Sequence, residues 1–271
     1  MALLRLLERK NSMPKWDSIR QIDGMTPTIS MEQLFSELGP VAKQDKLIAA
    51  LGLAGCQSWD EEGRYIKGSS ISLAGIGGLP VSKELLGTCR QDGKTIMATS
   101  AAMSYLNSGG KSLDDLYGTV TDKGHFSIAH TMTANLLVAG VSTAVENEFN
   151  SQRDVVHLSR VTVGRTSIQQ RPPIITPTED DYPVTRAITE FTDHQLAGIQ
   201  PSKLDDWERR NILYPSAKAT LFLATASLRN FQKLVSQKND GGKEAEYRTT
   251  LTQIEECLNT LWPELFSEGR E

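Results

Sequence analysis

Four of the chain's eleven prolines fall between residues 161 and 183, at Pro172, Pro173, Pro177 and Pro183. Proline lacks the amide hydrogen that a helix interior or a central strand needs, so this stretch must cross the molecule extended. The elements before and after it must therefore form separately and meet in tertiary structure. At 271 residues the chain makes one large domain or two small ones. Aromatic residues are only 6%, so aliphatic side chains must fill most of the core. With 39% hydrophobic and 23% charged residues the chain is neither disordered nor fibrous.

Residues 11–30, with Met13-Pro14, Asp23-Gly24 and Pro27, read as a loop-rich arm. Between 29 and 53, Leu34, Leu38, Val41, Leu47, Ala50 and Leu51 predict one or two short amphipathic helices broken at Gly39-Pro40. Residues 54–95 carry turn signals, with β-prone patches at 64–74 and 95–98. Gly75-Ile-Gly-Gly78 lacks the Lys-Ser/Thr ending of a phosphate loop and reads as an ordinary turn. Two helices are predicted over 97–118, around the break Asn107-Ser-Gly-Gly110. The run Ala134-Asn-Leu-Leu-Val-Ala-Gly-Val141 suits a buried strand. Val141, Val145, Phe149 and Val156 then predict a helix over 142–160, and 184–198 is helical. Two long helices are expected at 217–236 and 244–261, with stripes such as Ala217, Leu221, Ala224 and Leu228 in the first. The class is α+β.

Three scattered cysteines (Cys56, Cys89, Cys257) form no closed disulfide set, which suits a reducing cytosol. The apolar start, Met1-Ala-Leu-Leu-Arg-Leu-Leu, is interrupted by Arg5 and lacks a cleavage pattern. No run long enough to span a membrane occurs. A cytoplasmic protein is expected.

The formal charge of −4 gives no global reason to expect a nucleic-acid binder. It conceals a basic stretch, 152–171, where Arg153, Arg160, Arg165, Arg171 and His157 face a single acid, Asp154. On the expected helix Arg153, His157 and Arg160 share a face that calls for an anionic ligand or partner carboxylates. Arginine suits phosphate because its planar fork makes two parallel charge-assisted hydrogen bonds. The following Gly164-Arg-Thr-Ser-Ile-Gln-Gln-Arg171 offers Arg165, Ser167, Gln169, Gln170 and Arg171 for a phosphate and a base or ribose edge. The alternative is a solvated helix face paired with Glu146 and Glu148.

His125, His130 and His157 cluster in sequence, but no acid stands at a recognised metal-ligand spacing from them, and no metal is expected. No nucleophile constellation appears either, so an enzyme of this sequence would rely on a cofactor for the hard chemistry.

Several segments in order resemble flavin-dependent thymidylate synthases. Gly124-His-Phe-Ser-Ile-Ala-His130 is similar to the family's Gly-His-x-Ser/Thr-x-x-Glu-His. Leu158-Ser159-Arg160 stands where the family has Arg-His-Arg, keeping only the last arginine, and Arg171 stands at its Ser-x-Arg arginine. Glu208-Arg-Arg-Asn-Ile-Leu-Tyr-Pro215 resembles Glu-x-Ala-Arg-x-x-Leu-Pro, and Thr225-Ala-Ser-Leu-Arg-Asn-Phe231 resembles Thr-x-Asn-x-Arg-Ser-Leu/Trp. Lys243-Glu-Ala-Glu246 resembles the Ala-Gln-x-Glu that opens the family's last helix, and Trp262-Pro-Glu-Leu-Phe266 its terminal Pro-x-x-Phe. Ser227 replaces an asparagine, and Lys238 or Gln237 replaces a late arginine.

The resemblance implies a central β-sheet flanked by long helices, with residues 97–271 as the core and 1–96 as an N-terminal extension packed on it. It implies a homotetramer with composite sites, FAD as cofactor, and NADPH and methylenetetrahydrofolate as co-substrates for C5-methylation of a uridylate, dUMP or UMP. Arg160, Ser227 and Arg229 would face the flavin, with His125 and Ser127 beside it. His157, Arg165, Ser167, Gln169, Gln170, Arg171 and Arg210 would hold the pyrimidine nucleotide, and Lys238 would close over it. Arg160 and Arg171 would be the catalytic cations, stabilising charge that develops on the rings. Two other readings stay open: a diverged homologue that binds flavin or nucleotide without methylating, and a non-enzymatic helical module that grips nucleic acid. Few aromatics stand near the basic loop, which counts against stacking on single strands.

Overall fold

The structure, a computed structural model, describes residues 27–42, 45–105, 109–161, 171–197, 214 and 216–266. In chain order the described elements are α1 (Met31–Leu38), α2 (Lys46–Leu53), β1 (Tyr65–Ile66), β2 (Ser70–Ile76), β3 (Leu79–Pro80), α3 (Lys83–Tyr105) and α4 (Leu113–Asp122). A 3-10 turn, Phe126–Thr131, leads into β4 (Thr133–Ser142), α5 (Thr143–Ser151), β5 (His157–Arg160), β6 (Ile174–Ile175) and α6 (Asp181–Leu196). Then follow β7 (Ala219–Ser227), α7 (Leu228–Val235), α8 (Ala245–Asn259) and α9 (Pro263–Phe266).

Five strands form one sheet in the order β3-β2-β4-β7-β5, with each adjacent pair antiparallel. β1 and β6 form a separate parallel pair. The central strands β4 and β7 are buried along most of their length, as strands covered on both faces must be. One face (Ile71, Leu73, Leu136, Val138, Phe222, Ala224) packs into a core with Phe149, Phe231, Tyr247, Leu251, Ile254 and Trp262. Phe149 sits at its middle, with ring centroids 5.3 Å from Phe222 and 5.2 Å from Tyr247. The other face offers Leu137, Ala139 and Leu221 to Leu34, Leu38, Leu47 and Leu51 of α1 and α2. Full burial of each such leucine stabilises the fold by about 1.5–3 kcal/mol.

Two glycine sites are dictated by geometry. Gly77 and Gly78, at φ 58° and 81°, make the tight β2–β3 turn, so the Gly75–Gly78 segment is an ordinary turn as its sequence predicts. Gly140 sits at a register shift in β4 with φ 69°, where a Cβ would lie 2.6 Å from Cys56 Sγ and 2.9 Å from the Gly68 carbonyl.

The paired helices broken near Gly39-Pro40, the strand at 134–141, the helices either side of 107–110, and those at 184–198 and 244–261 all form. Three expectations are corrected. Residues 219–227 are strand β7, and helix begins only at Leu228. Residues 157–160 are strand β5, since α5 stops at Ser151; Arg153, His157 and Arg160 therefore share no helical face. The β-prone patch at 95–98 lies inside α3, a 23-residue helix. That helix also runs through the 96/97 boundary drawn from sequence, and β2 from the N-terminal side is an inner strand of the sheet.

Candidate functional site

The end of β7 and the start of β4 meet at a polar corner. Ser227 is the last residue of β7 and the N-cap of α7: extended, at φ −67° and ψ 155°, it accepts a hydrogen bond from Asn230 N at 3.2 Å. The same hydroxyl lies 3.1 Å from His130 Nδ1. Thr133 stands opposite Ser227 in the ladder, and Leu228 N donates to Met132 O at 2.8 Å, so the 3-10 turn is fixed against the start of α7. Arg229 places its guanidinium carbon 5.6 Å from the centre of the Phe126 ring and donates to Gln232 Oε1 at 3.1 Å. Contact with the ring face holds a guanidinium in place while leaving donors for a ligand. His125 and Ser127 are exposed on the same turn. Of the expected flavin residues, Ser227 and Arg229 thus contact the turn that carries Ser127 and follows His125.

Two further residues complete this corner. His130 stood out in sequence as one of three clustered histidines and as the closing histidine of the Gly124–His130 segment, but its pairing with Ser227 arises from tertiary structure. Asn230 donates to Val155 O at 2.9 Å and so ties the approach to β5 onto α7. Asn230 lies in the Thr225–Phe231 segment, but the sequence assigned it no role.

β5 lies at the sheet edge beside β7. His157 pairs with Thr225 and Arg160 with Phe222, and three steps along a strand put His157 and Arg160 on opposite faces. Arg160 Nη1 donates to Glu146 Oε1 at 3.0 Å; Glu146 is buried on α5. Phe222 lies five residues along β7 from Ser227, about 17 Å at the rise of a strand. Arg160 is therefore set apart from the Ser227–Arg229 corner within one chain. Of the two acids in the solvated-face alternative, Glu146 does pair with Arg160, while Glu148 takes Lys243 at 2.9 Å.

Arg171 belongs to a different cluster. Its Nε lies 3.3 Å from Asp193 Oδ2 and its Nη1 3.6 Å from Glu62. Asp193 also receives Arg64 at 2.5 and 3.0 Å and the Tyr214 hydroxyl at 2.5 Å. Burial opposes ionisation of Asp193, but the hydrogen bonds from Arg64 and Tyr214 and the nearby arginine charges outweigh it and hold its carboxyl below the usual range. Lys238 pairs with Glu255 of α8. Arg165, Ser167, Gln169, Gln170 and Arg210 lie outside the described residues. Among the described residues no three His, Cys, Asp or Glu side chains group to hold a metal ion, and no helix is long and apolar enough to cross a membrane.

No protein-family model and no curated protein matches the sequence. Solved structures do match the fold. The flavin-dependent thymidylate synthase ThyX from Helicobacter pylori, complexed with FAD and dUMP, superposes with a TM-score of 0.53 at 12% identity, over 65% of this chain and 94% of that one. The UMP/dUMP methylase PolB from Streptomyces cacaoi, bound with 5-Br dUMP, gives 0.54 at 13% identity, over 73% of this chain and 93% of that one. With the antiparallel sheet, the helices on both its faces and the 3-10 turn ahead of β4, this likeness assigns the architecture: the chain has the flavin-dependent thymidylate synthase fold.

Proposed function

We propose that the protein binds FAD at the corner formed by His125, Ser127, His130, Ser227 and Arg229, and methylates C5 of a uridylate, with methylenetetrahydrofolate as donor and NADPH as reductant. The observation that carries this reading is the convergence of that corner in a chain whose structural neighbours are complexed with FAD and dUMP. The donor set suits a flavin: imidazole and hydroxyl groups for ring carbonyls, and the Arg229 guanidinium for negative charge on the ring or pyrophosphate. Reduced FAD, when bound, supplies the reducing equivalents of the reaction. The protein's part is to orient the rings and hold charge, with Arg229 acting from a fixed position on Phe126.

A homo-oligomer with composite sites belongs to the same proposal. It is supported by apolar side chains left exposed at helical spacing: Val184, Ile188 and Phe191 on α6, and Ile96 and Met103 on α3. In an assembly Arg160 and Arg171 could serve a site built partly by another copy.

A second reading is favoured by one observation. Arg160, Arg171 and Lys238, three of the expected cations, each pair with a carboxylate of their own chain. This suits a homologue that binds flavin but no longer methylates. Purified protein should carry or take up FAD, seen as flavin absorbance; a colourless protein that fails to take it up sinks both readings. Incubation with dUMP or UMP, methylenetetrahydrofolate and NADPH separates them, the first requiring a C5-methylated product.

A further inference from the structure

The layer of α1 and α2 covers the sheet face that carries Leu137, Ala139 and Leu221. Towards Ser227 this cover gives way to a polar row. The ladder places Gly75, Asn135, Thr225 and His157 side by side on β2, β4, β7 and β5. Directly opposed residues of antiparallel strands share a face, and strands lie about 4.8 Å apart, so Asn135 and His157 flank Thr225 within about 10 Å. A Cβ on Gly75 would come within 2.8 Å of Asn135 Nδ2, so the absence of a side chain there leaves room for the carboxamide. Asn135 and Thr225 are half-buried and His157 is exposed. None of the three side chains hydrogen-bonds to another described residue, whereas Ser227 beyond them pairs with His130 and Asn230 with Val155.

Asparagine is disfavoured in strands, and Asn135 stands in a central one between Ala134 and Leu136, both fully buried. Its presence works against the local preference that the rest of β4 satisfies, which is the mark of a residue kept for a ligand rather than for folding. The row holds no fixed cation, so its chemistry suits a neutral polar heterocycle and not a phosphate. A carboxamide offers an acceptor and a donor side by side, and the Thr225 hydroxyl adds a donor one strand spacing away. That sequence complements an imide, an N–H between two carbonyls.

We propose that the Asn135–Thr225–His157 row recognises the imide edge of a planar ring. Uracil and the flavin isoalloxazine both present this edge, and the inference rests on the flavin–uridylate reading above. Asn135 Oδ1 accepts from the imide N–H, Nδ2 donates to one carbonyl and the Thr225 hydroxyl donates to the other, with the His157 ring one strand further along the row. Arg229 and His130 then lie beyond the row, two residues further along β7 at Ser227, with the charge needed by the rest of the ligand.

The test uses the full-length protein and two near-isosteric variants, Asn135→Asp and Thr225→Val, each checked for an unaltered thermal transition. FAD is titrated by flavin fluorescence and dUMP by calorimetry. The expected result is a loss of about tenfold or more in affinity for one of the two ligands, with the other within about twofold; the ligand that weakens identifies the ring on the row. Should Asn135→Asp not fold, Thr225→Val decides alone. Wild-type affinity of the folded variants for both ligands overturns the row while leaving the flavin–uridylate reading intact. Equal loss of both also overturns it, because a row this narrow holds one ring. Wild-type protein that binds neither ligand overturns the reading and the row together.

Discussion

Arg64 and Asp193 are 129 residues apart in sequence and joined by two hydrogen bonds of 2.5 and 3.0 Å, with Arg64 only 2% exposed. Arg64 Nε also donates to Pro172 O, and Asp193 holds Tyr214 and Arg171. One carboxylate thus gathers the β1 approach, the proline-rich crossing, α6 and the segment ahead of β7. Replacing Asp193 with alanine leaves a buried guanidinium without its partner and should cost about 3–5 kcal/mol in urea denaturation.

The same pair sets an acid limit on the fold. The Asp193 carboxyl is held below its ordinary value, so its contribution is present above the unfolded-state pKa, about 3.9, and is lost as pH falls through the lower folded value. Glu264 adds to this in the same direction: burial opposes its ionisation, but hydrogen bonds from Lys94 and Arg90 hold its carboxyl down. Thermal melts between pH 7 and 3 should show a stability loss in the wild type that is shallower in Asp193→Asn. Parallel pH profiles would refute this assignment.

Tyr247 should titrate well above the ordinary tyrosine range. Burial, then the Glu148 charge, pushes its hydroxyl up to about 12. Because the folded value exceeds the unfolded one of about 10, the associated stability is present below pH 10 and declines as pH rises towards 12. Absorbance titration of wild type and Tyr247→Phe should coincide up to about pH 11 and diverge above it.

Ser227 has two roles that can be separated. Ser227→Ala removes the α7 cap and should cost about 1 kcal/mol, together with weaker FAD uptake through the lost His130 contact. Asparagine caps about as well as serine, so Ser227→Asn should recover the thermal transition. Arg229→Ala should lower FAD affinity about tenfold or more with little change in stability, measured by flavin fluorescence. Unchanged FAD binding in both Ser227→Ala and Arg229→Ala would remove this corner from the flavin site.

Gly140→Ala forces a side chain into a left-handed backbone position against Cys56 Sγ. A loss of about 2 kcal/mol or more is expected. A variant as stable as wild type would show that β4 can shift at its register irregularity.

Elements with one exposed side or a clear punctuation were legible in the sequence. The breaks at Gly39-Pro40 and 107–110, the amphipathic stripe of α8 and the apolar run of β4 were all specified locally. β7 was not, because Ala217, Leu221, Ala224 and Leu228 fit a 3.6-residue period while strand burial on both faces erased the alternation that would have marked it. β5 failed for a related reason: four residues at a sheet edge carry too little pattern to compete with the helix preceding them.

By itself the sequence determined the class, the ordered string of polar motifs and the residues of the His125–Ser127 and Ser227–Arg229 segments, since these depend on local residue choice. Only the tertiary structure decided their partners. Strand pairing brought His130 to Ser227 and aligned Asn135 with Thr225 and His157 across a register that no single segment encodes. It also gave Arg160 to Glu146 and Arg171 to Asp193, because a charge that becomes partly buried takes the carboxylate that packing brings within reach.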